Sequence, residues 1–241
     1  MSEGDPIRFT LRGIATGFRR SQVLSPGIFV YGIAFGMVAA QAKLSILQAL
    51  AMSAAIYSGS AQLAAVGVLA SGAASVLATI WALIATLVVI NARYILFSAT
   101  LRPWLSQVSP LQAYGTLFFL GDSSWLLSMK AYDLGERDAG FVLGSSVGVF
   151  FVWLLGTYLG CIAIGFAPDP HQLGFDFFLV AFAAAMMVGM IKGRSDYVII
   201  VAAAVVAMVT ARFANFGAAV VVSGLSGGAI AYFRADPARA A

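Results

Sequence analysis

The chain has 241 residues, of which 61% are hydrophobic and only 10% charged, with a formal net charge of +4 and a mean hydropathy of +0.93. Soluble domains carry about 25% charged residues, so the composition excludes a water-soluble globular protein and puts the chain in a membrane. The positive balance does not make it a nucleic-acid binder, since that needs a basic patch in polar surroundings; its Lys and Arg residues sit between apolar runs, the footprint of membrane topology.

Residues 1–22 hold Arg8, Arg12, Arg19 and Arg20, with Ile7, Leu11, Ile14 and Phe18 recurring at helical spacing. That pattern predicts a short amphipathic helix on the cytoplasmic surface. The apolar run after it is too long for the core of a signal peptide, so the segment reads as retained.

The first span covers 23–41, with Gly32 and Gly36 in a close-packing arrangement. Lys43 marks a short loop before the second span, 44–69. Ser58-Gly59-Ser60-Ala61-Gln62 interrupts that span, where a plain membrane helix would keep apolar residues. Irregular backbone at membrane depth survives only where it packs in protein or lines a cavity. A half-helix N-terminus there would point free N–H groups at an anion. Small residues packing two helices closely is the other reading.

The third span, 73–101, carries Thr79, Thr86, Arg93 and Thr100 every seven residues, on one helix stripe. Asn91 and Tyr94, three apart, share a different face. The fourth span, 111–129, is interrupted at Gly121-Asp122-Ser123-Ser124, and a charged connection from Lys130 to Ala139 follows. The fifth, 140–166, has glycines at 140, 144, 148, 156 and 160, a ridge for close helix packing. A loop with Asp169, His171 and Asp176 precedes spans at 177–191 and 197–211, split by Lys192 and Arg194. The last span is 218–233, and Arg234 and Arg239 close the chain.

The expectation is therefore an all-α, polytopic integral membrane protein of about eight transmembrane helices, some broken near the bilayer middle. Its parts are an amphipathic basic segment (1–22), a transmembrane transporter domain (23–234) and a short cytoplasmic tail (235–241). Eight spans put both termini on one side, and the basic loops make that side cytoplasmic.

Asp122 stands about 18 Å along the helix from Pro110, near the bilayer middle. A charge there faces a cavity or a partner. It reads either as a proton-coupling carboxylate or contact for a substrate ammonium group, or as the partner of Arg93 in a helix-fixing ion pair. Arg93 has a further reading as an interfacial anchor. Gln62 is placed to bond a substrate or a carbonyl freed by the break. Trp81, Trp104, Trp125 and Trp153 read as packing or interface residues. Cys161 stands alone, His171 is the only histidine, and no phosphate-binding Gly-x4-Gly-Lys-Ser/Thr loop occurs. No enzyme, cofactor or metal site is expected.

In Ser58-Gly-Ser-Ala-Gln-Leu-Ala-Ala-Val-Gly67, Leu69-Ala-Ser-Gly-Ala73, Ile90-Asn-Ala-Arg-Tyr-Ile-Leu-Phe97 and Gly121-Asp122, the chain resembles the AzlC family. These proteins are the large subunits of two-component bacterial branched-chain amino-acid exporters. The stretches look like that family's Gly-Ala-x-Gln-Phe, Asn-x-Arg-His and Thr-Asp-Glu motifs, in order and spacing. Ser123 replaces the family's Glu and Tyr94 its His, so a coupling role for those two side chains does not carry over. The resemblance implies export of small hydrophobic amino acids across a bacterial cytoplasmic (inner) membrane, with a small AzlD-type membrane subunit as partner. The expected substrate site is Ser58, Gly59, Ser60, Ala61, Gln62 and Asn91, with Asp122 and Arg93 as coupling residue or ion pair, supported by Ser123 and Tyr94. A permease powered by a separate ATPase, or an exporter of another small metabolite, is the alternative.

Overall fold

The computed structural model describes residues 7–70, 75–163, 184, 188, 191, 193–213 and 216–234. The span expected over 177–191 lies, apart from three single positions, outside the described residues, as do Asp169, His171, Asp176, Lys192 and the tail 235–241. All regular elements among the described residues are helices.

Helix α1 (Leu11–Ser21) passes through a 3-10 turn, Gln22–Leu24, into α2 (Ser25–Gln41). Lys43, at φ 63°, turns the chain sharply, and Ser45 with Gln48 forms a capping box that starts α3 (Ile46–Ile56). The remaining helices are α4 (Gly59–Ala70), α5 (Val76–Asn91), α6 (Arg93–Thr100), α7 (Arg102–Leu105), α8 (Pro110–Phe118), α9 (Asp122–Asp133), α10 (Gly140–Ala163), α11 (Arg194–Phe213) and α12 (Phe216–Arg234).

Four stretches among the described residues are helical, long and apolar enough to cross a membrane: Leu11–Gln41, Val76–Thr100, Gly140–Ala163 and Asp196–Phe213. The second and fourth expected spans are instead pairs of short helices, α3 with α4 and α8 with α9. The longest of these has 12 residues, about 18 Å at 1.5 Å per residue, against a hydrocarbon core of about 30 Å, so none crosses alone.

Helix α10 is the hub, packing against α1, α2, α3, α8 and α9. Its glycine ridge explains how. A Cβ on Gly144 would collide with the carbonyl of Ile14, and one on Gly160 with the carbonyl of Ile33. One on Gly156 would lie 2.5 Å from Phe29 O. Glycines on the other side, Gly17, Gly32 and Gly36, press in turn on the α10 backbone near Phe141, Trp153 and Thr157. Residue numbers rise together on both helices, so α1–α2 and α10 run parallel. Two parallel neighbours that both cross a membrane need an odd number of crossings between them. Of the segments between them, α5–α6 is by itself long and apolar enough to make such a crossing.

The N-terminal helix differs from expectation in its packing. Its Gly13, Gly17 and Ser21, four residues apart, are buried along α10, whereas Leu11 (84% exposed) and Phe18 (44% exposed) of the apolar stripe face outward. Backbone-to-backbone approach needs small side chains, so the glycine stripe, not the apolar one, docks this helix. It continues into α2 as one 31-residue helical stretch, Leu11–Gln41.

Asp138 ties this end together. Its carboxylate accepts from the Thr10 N–H (3.0 Å), the Thr10 hydroxyl and the Gly140 N–H (2.9 Å), while Thr10 caps α1 by accepting from Gly13 N (3.0 Å). Backbone bonds from Arg8 N to Arg137 O (3.1 Å) and from Ala139 N to Arg8 O (2.7 Å) complete the staple. The basic N-terminal segment and the charged connection at 130–139 therefore meet at one end of the molecule.

Candidate functional site

Three helix interruptions converge beside α2 and α10. The first ends α3 at Tyr57, whose backbone is left-handed (φ 39°, ψ 48°). A non-glycine residue held there stores on the order of 1–3 kcal/mol of strain and marks a place the surroundings over-determine. Helix α4 restarts at Gly59, where a Cβ would stand 2.8 Å from the Tyr31 ring. A larger residue there would have to displace the Tyr31 ring from the cavity wall.

The second interruption is between α8 and α9. Gly121 caps α9, and Ser124 both accepts from Gly121 N and donates to Gly121 O, each at 3.0 Å. Ser146 of α10 donates to Ser124 (3.1 Å), fixing the turn to the hub. Asp122 thus opens α9, where a carboxylate is favoured by the free N–H groups of the first turn. The third interruption is mild. At Ala92 the helix tightens, Ile95 N reaching Ala92 O (3.1 Å), and α6 begins with Arg93.

Arg93 joins all three. Its Nη2 donates to Ser58 Oγ and Ser60 Oγ, both at 3.0 Å, and forms an ion pair with Asp122 Oδ2 at 3.0 Å. The guanidinium also lies 5.5 Å from the centre of the Tyr94 ring, within cation–π range. Tyr94 donates to Tyr57 O (3.3 Å), closing the first break against α6. Two polar atoms are left buried without a partner here, Arg93 Nε and Asp122 Oδ1. Buried polar groups are as a rule satisfied, so orphans of this kind need an explanation such as a ligand or water.

A cavity of about 60 Å³ opens at the convergence. Ile28 and Tyr31 of α2, Tyr57, Ser58 and Gly59 of the first break, Tyr94 of α6, Gly121, Asp122 and Ser123 of the second break, and Trp153 of α10 line it. Asp122 is the one charged residue in that lining. Trp153 is set by an edge-on contact with Tyr31 (5.1 Å between ring centres) and by donating Nε1 to Ser53 Oγ (3.2 Å).

Of the expected site residues, Ser58, Gly59, Asp122, Ser123 and Tyr94 therefore line one cavity, and Ser60 and Arg93 belong to the cluster beside it. Ala61 is fully buried. Gln62, also fully buried, points away and donates to Ser53 (2.9 Å), which in turn bonds Thr157 of α10 (3.0 Å). Since Ser53 accepts from both Gln62 and Trp153, its own proton goes to Thr157, and the three form a bridge between α3, α4 and α10. Asn91 is outside the lining, with a buried and unpartnered Oδ1. The tight turn at Ala92 lets adjacent Arg93 and Tyr94 serve one site, where straight-helix spacing separates their faces.

Tyr31, Tyr57, Ile28 and Trp153 were not singled out as site residues by sequence. Tyrosine hydroxyls in the middle of an apolar span, rather than at its ends, were the available signal for the first two. Ile28 and Trp153 carry none, because nothing local says which helices meet.

The family model described as AzlC protein matches residues 23–166, which covers more than half of the chain and every residue of the cavity. The chain belongs to the AzlC family. No curated protein and no solved structure matches it. As an AzlC protein with several helices long and apolar enough to cross a bilayer, it is a multi-pass membrane protein and a component of membrane transport. Among the described residues no cluster of three or more His, Cys, Asp or Glu side chains is placed to hold a metal ion.

Proposed function

We propose that this AzlC protein exports small hydrophobic amino acids across a bacterial cytoplasmic membrane, driven by the proton gradient and working with a small AzlD-type subunit, with both termini cytoplasmic. The observation that carries the reading is the meeting of three helix interruptions at one cavity, joined by an ion pair whose Nε and Oδ1 atoms lack partners. Discontinuous helices at a polar centre are how secondary transporters build substrate sites within the bilayer.

An amino-acid zwitterion needs donors for its carboxylate, an acceptor for its ammonium group and an apolar wall. The N–H groups at the start of α4, by Ser58 and Gly59, supply the first, and Asp122 the second. Ile28 and Trp153 supply the third. One methylene changes binding in such a pocket by about 1–3 kcal/mol, so overlapping use of leucine, isoleucine, valine and methionine is expected.

Ser60→Leu tests the site. The substitution removes one acceptor of Arg93 and puts an isobutyl group against the guanidinium. Leucine counterflow in proteoliposomes, with a candidate small subunit present, is expected to fall to background while the variant still elutes as folded protein. Unchanged counterflow would detach the transport function from this cluster.

A further inference from the structure

The cavity has a chemistry narrower than a general zwitterion site. Its walls carry the rings of Tyr31, Tyr57, Tyr94 and Trp153, and its one charged group is the Asp122 carboxylate. Arg93, the cation that would be expected to seize a substrate carboxylate, is outside the lining. Its Nη2 is already shared among Ser58, Ser60 and Asp122, and its face lies toward Tyr94. Asp122 spends Oδ2 on Arg93 and keeps Oδ1 buried and without a donor.

Aromatic faces around a carboxylate are a recognition device for ammonium groups, since the ring quadrupole and the carboxylate both attract a cation. A cavity of about 60 Å³ is also well below the roughly 300–1,000 Å³ of sites that enclose a whole small molecule. It accommodates the charged head of a ligand, with the tail running along Ile28 and Trp153 toward the mouth.

We propose that this cavity is an ammonium cage, in which Asp122 Oδ1 accepts from the ligand's NH3+ group while Tyr31, Tyr57 and Trp153 face it. The amine end of the substrate is then the end that is read. Arg93 acts through Asp122 as a positioning residue. This deepens the export reading by assigning which half of the substrate the site requires. Primary alkylamines bind, and the matching carboxylates, repelled by Asp122, do not.

The test is calorimetric titration of the full chain in lipid nanodiscs with leucine, isopentylamine and 4-methylpentanoate, three ligands sharing one apolar tail. Isopentylamine is expected to bind within about tenfold of leucine and 4-methylpentanoate about a hundredfold more weakly or not at all. Tyr31→Leu is expected to weaken the amine several-fold, whereas Ser226→Ala, on α12 away from the cavity, leaves it unchanged. Binding of the amine without leucine would keep the cage and reject amino-acid export. Binding of leucine and 4-methylpentanoate without the amine would overturn the cage and leave export standing. Failure of all three ligands to bind would overturn the cage as well.

Discussion

Arg93→Met is expected to abolish leucine transport and to lower stability by about 2 kcal/mol, and adding Asp122→Asn is expected to restore the stability but not the transport. The reason is the position of the pair. Removing one partner of a buried ion pair costs about 3–5 kcal/mol, because the other charge is stranded. Here the two side chains keep 33% and 34% of their surface exposed, so screening lowers the figure. Neutralising Asp122 as well removes the stranded charge. It cannot replace the bonds to Ser58 and Ser60 that hold the first break in place. Thermal unfolding of the purified single and double variants, alongside counterflow, separates the two roles. A double variant that transports at the wild-type rate would reduce the pair to scaffolding.

Packing on α10 gives the second large effect. Gly144→Leu or Gly160→Leu is expected to destabilise by about 3 kcal/mol or more each, and the two together to leave no folded protein. At both sites even a Cβ meets a main-chain carbonyl, of Ile14 or of Ile33. A flexible side chain could swing away, but a helix backbone moves only if the whole pair of helices separates. Gly224→Ala, in open space on α12, is the control. It is expected to be neutral or to stabilise by about 0.5–1 kcal/mol through helix propensity. The monodisperse fraction on size-exclusion chromatography reads all of these. A normal yield of Gly144→Leu would contradict the close parallel packing of α1 on α10.

What could be read in advance follows a pattern. Local chemistry was legible: the break after Tyr57 is announced by Ser58-Gly59-Ser60, the break before Asp122 by Gly121, and the α10 ridge by glycines four apart. So was the proximity of Arg93 and Asp122, since two opposite charges in apolar spans have few other partners. The arrangement of helices in space was not. Tyr31 and Trp153 enter the cavity because α2 runs parallel to α10, and no pattern within either helix encodes that. Gln62 illustrates the opposite failure, a polar residue beside a break that turns inward to Ser53 because α10 offers Thr157 and Trp153 there. In α1 the apolar stripe of Leu11 and Phe18 is the feature plain in the sequence, whereas Gly13, Gly17 and Ser21 are the residues buried along α10.

The most direct measurement is leucine counterflow in proteoliposomes carrying the wild-type chain and a candidate small subunit, compared with Asp122→Asn. The wild type is expected to exchange leucine, and the folded variant to lose both exchange and gradient-driven accumulation, because the ammonium group has lost its negatively charged partner and meets a neutral amide instead. Exchange by Asp122→Asn at the wild-type rate would contradict the account, and loss of accumulation alone would make Asp122 the proton-coupling group instead of the binding one.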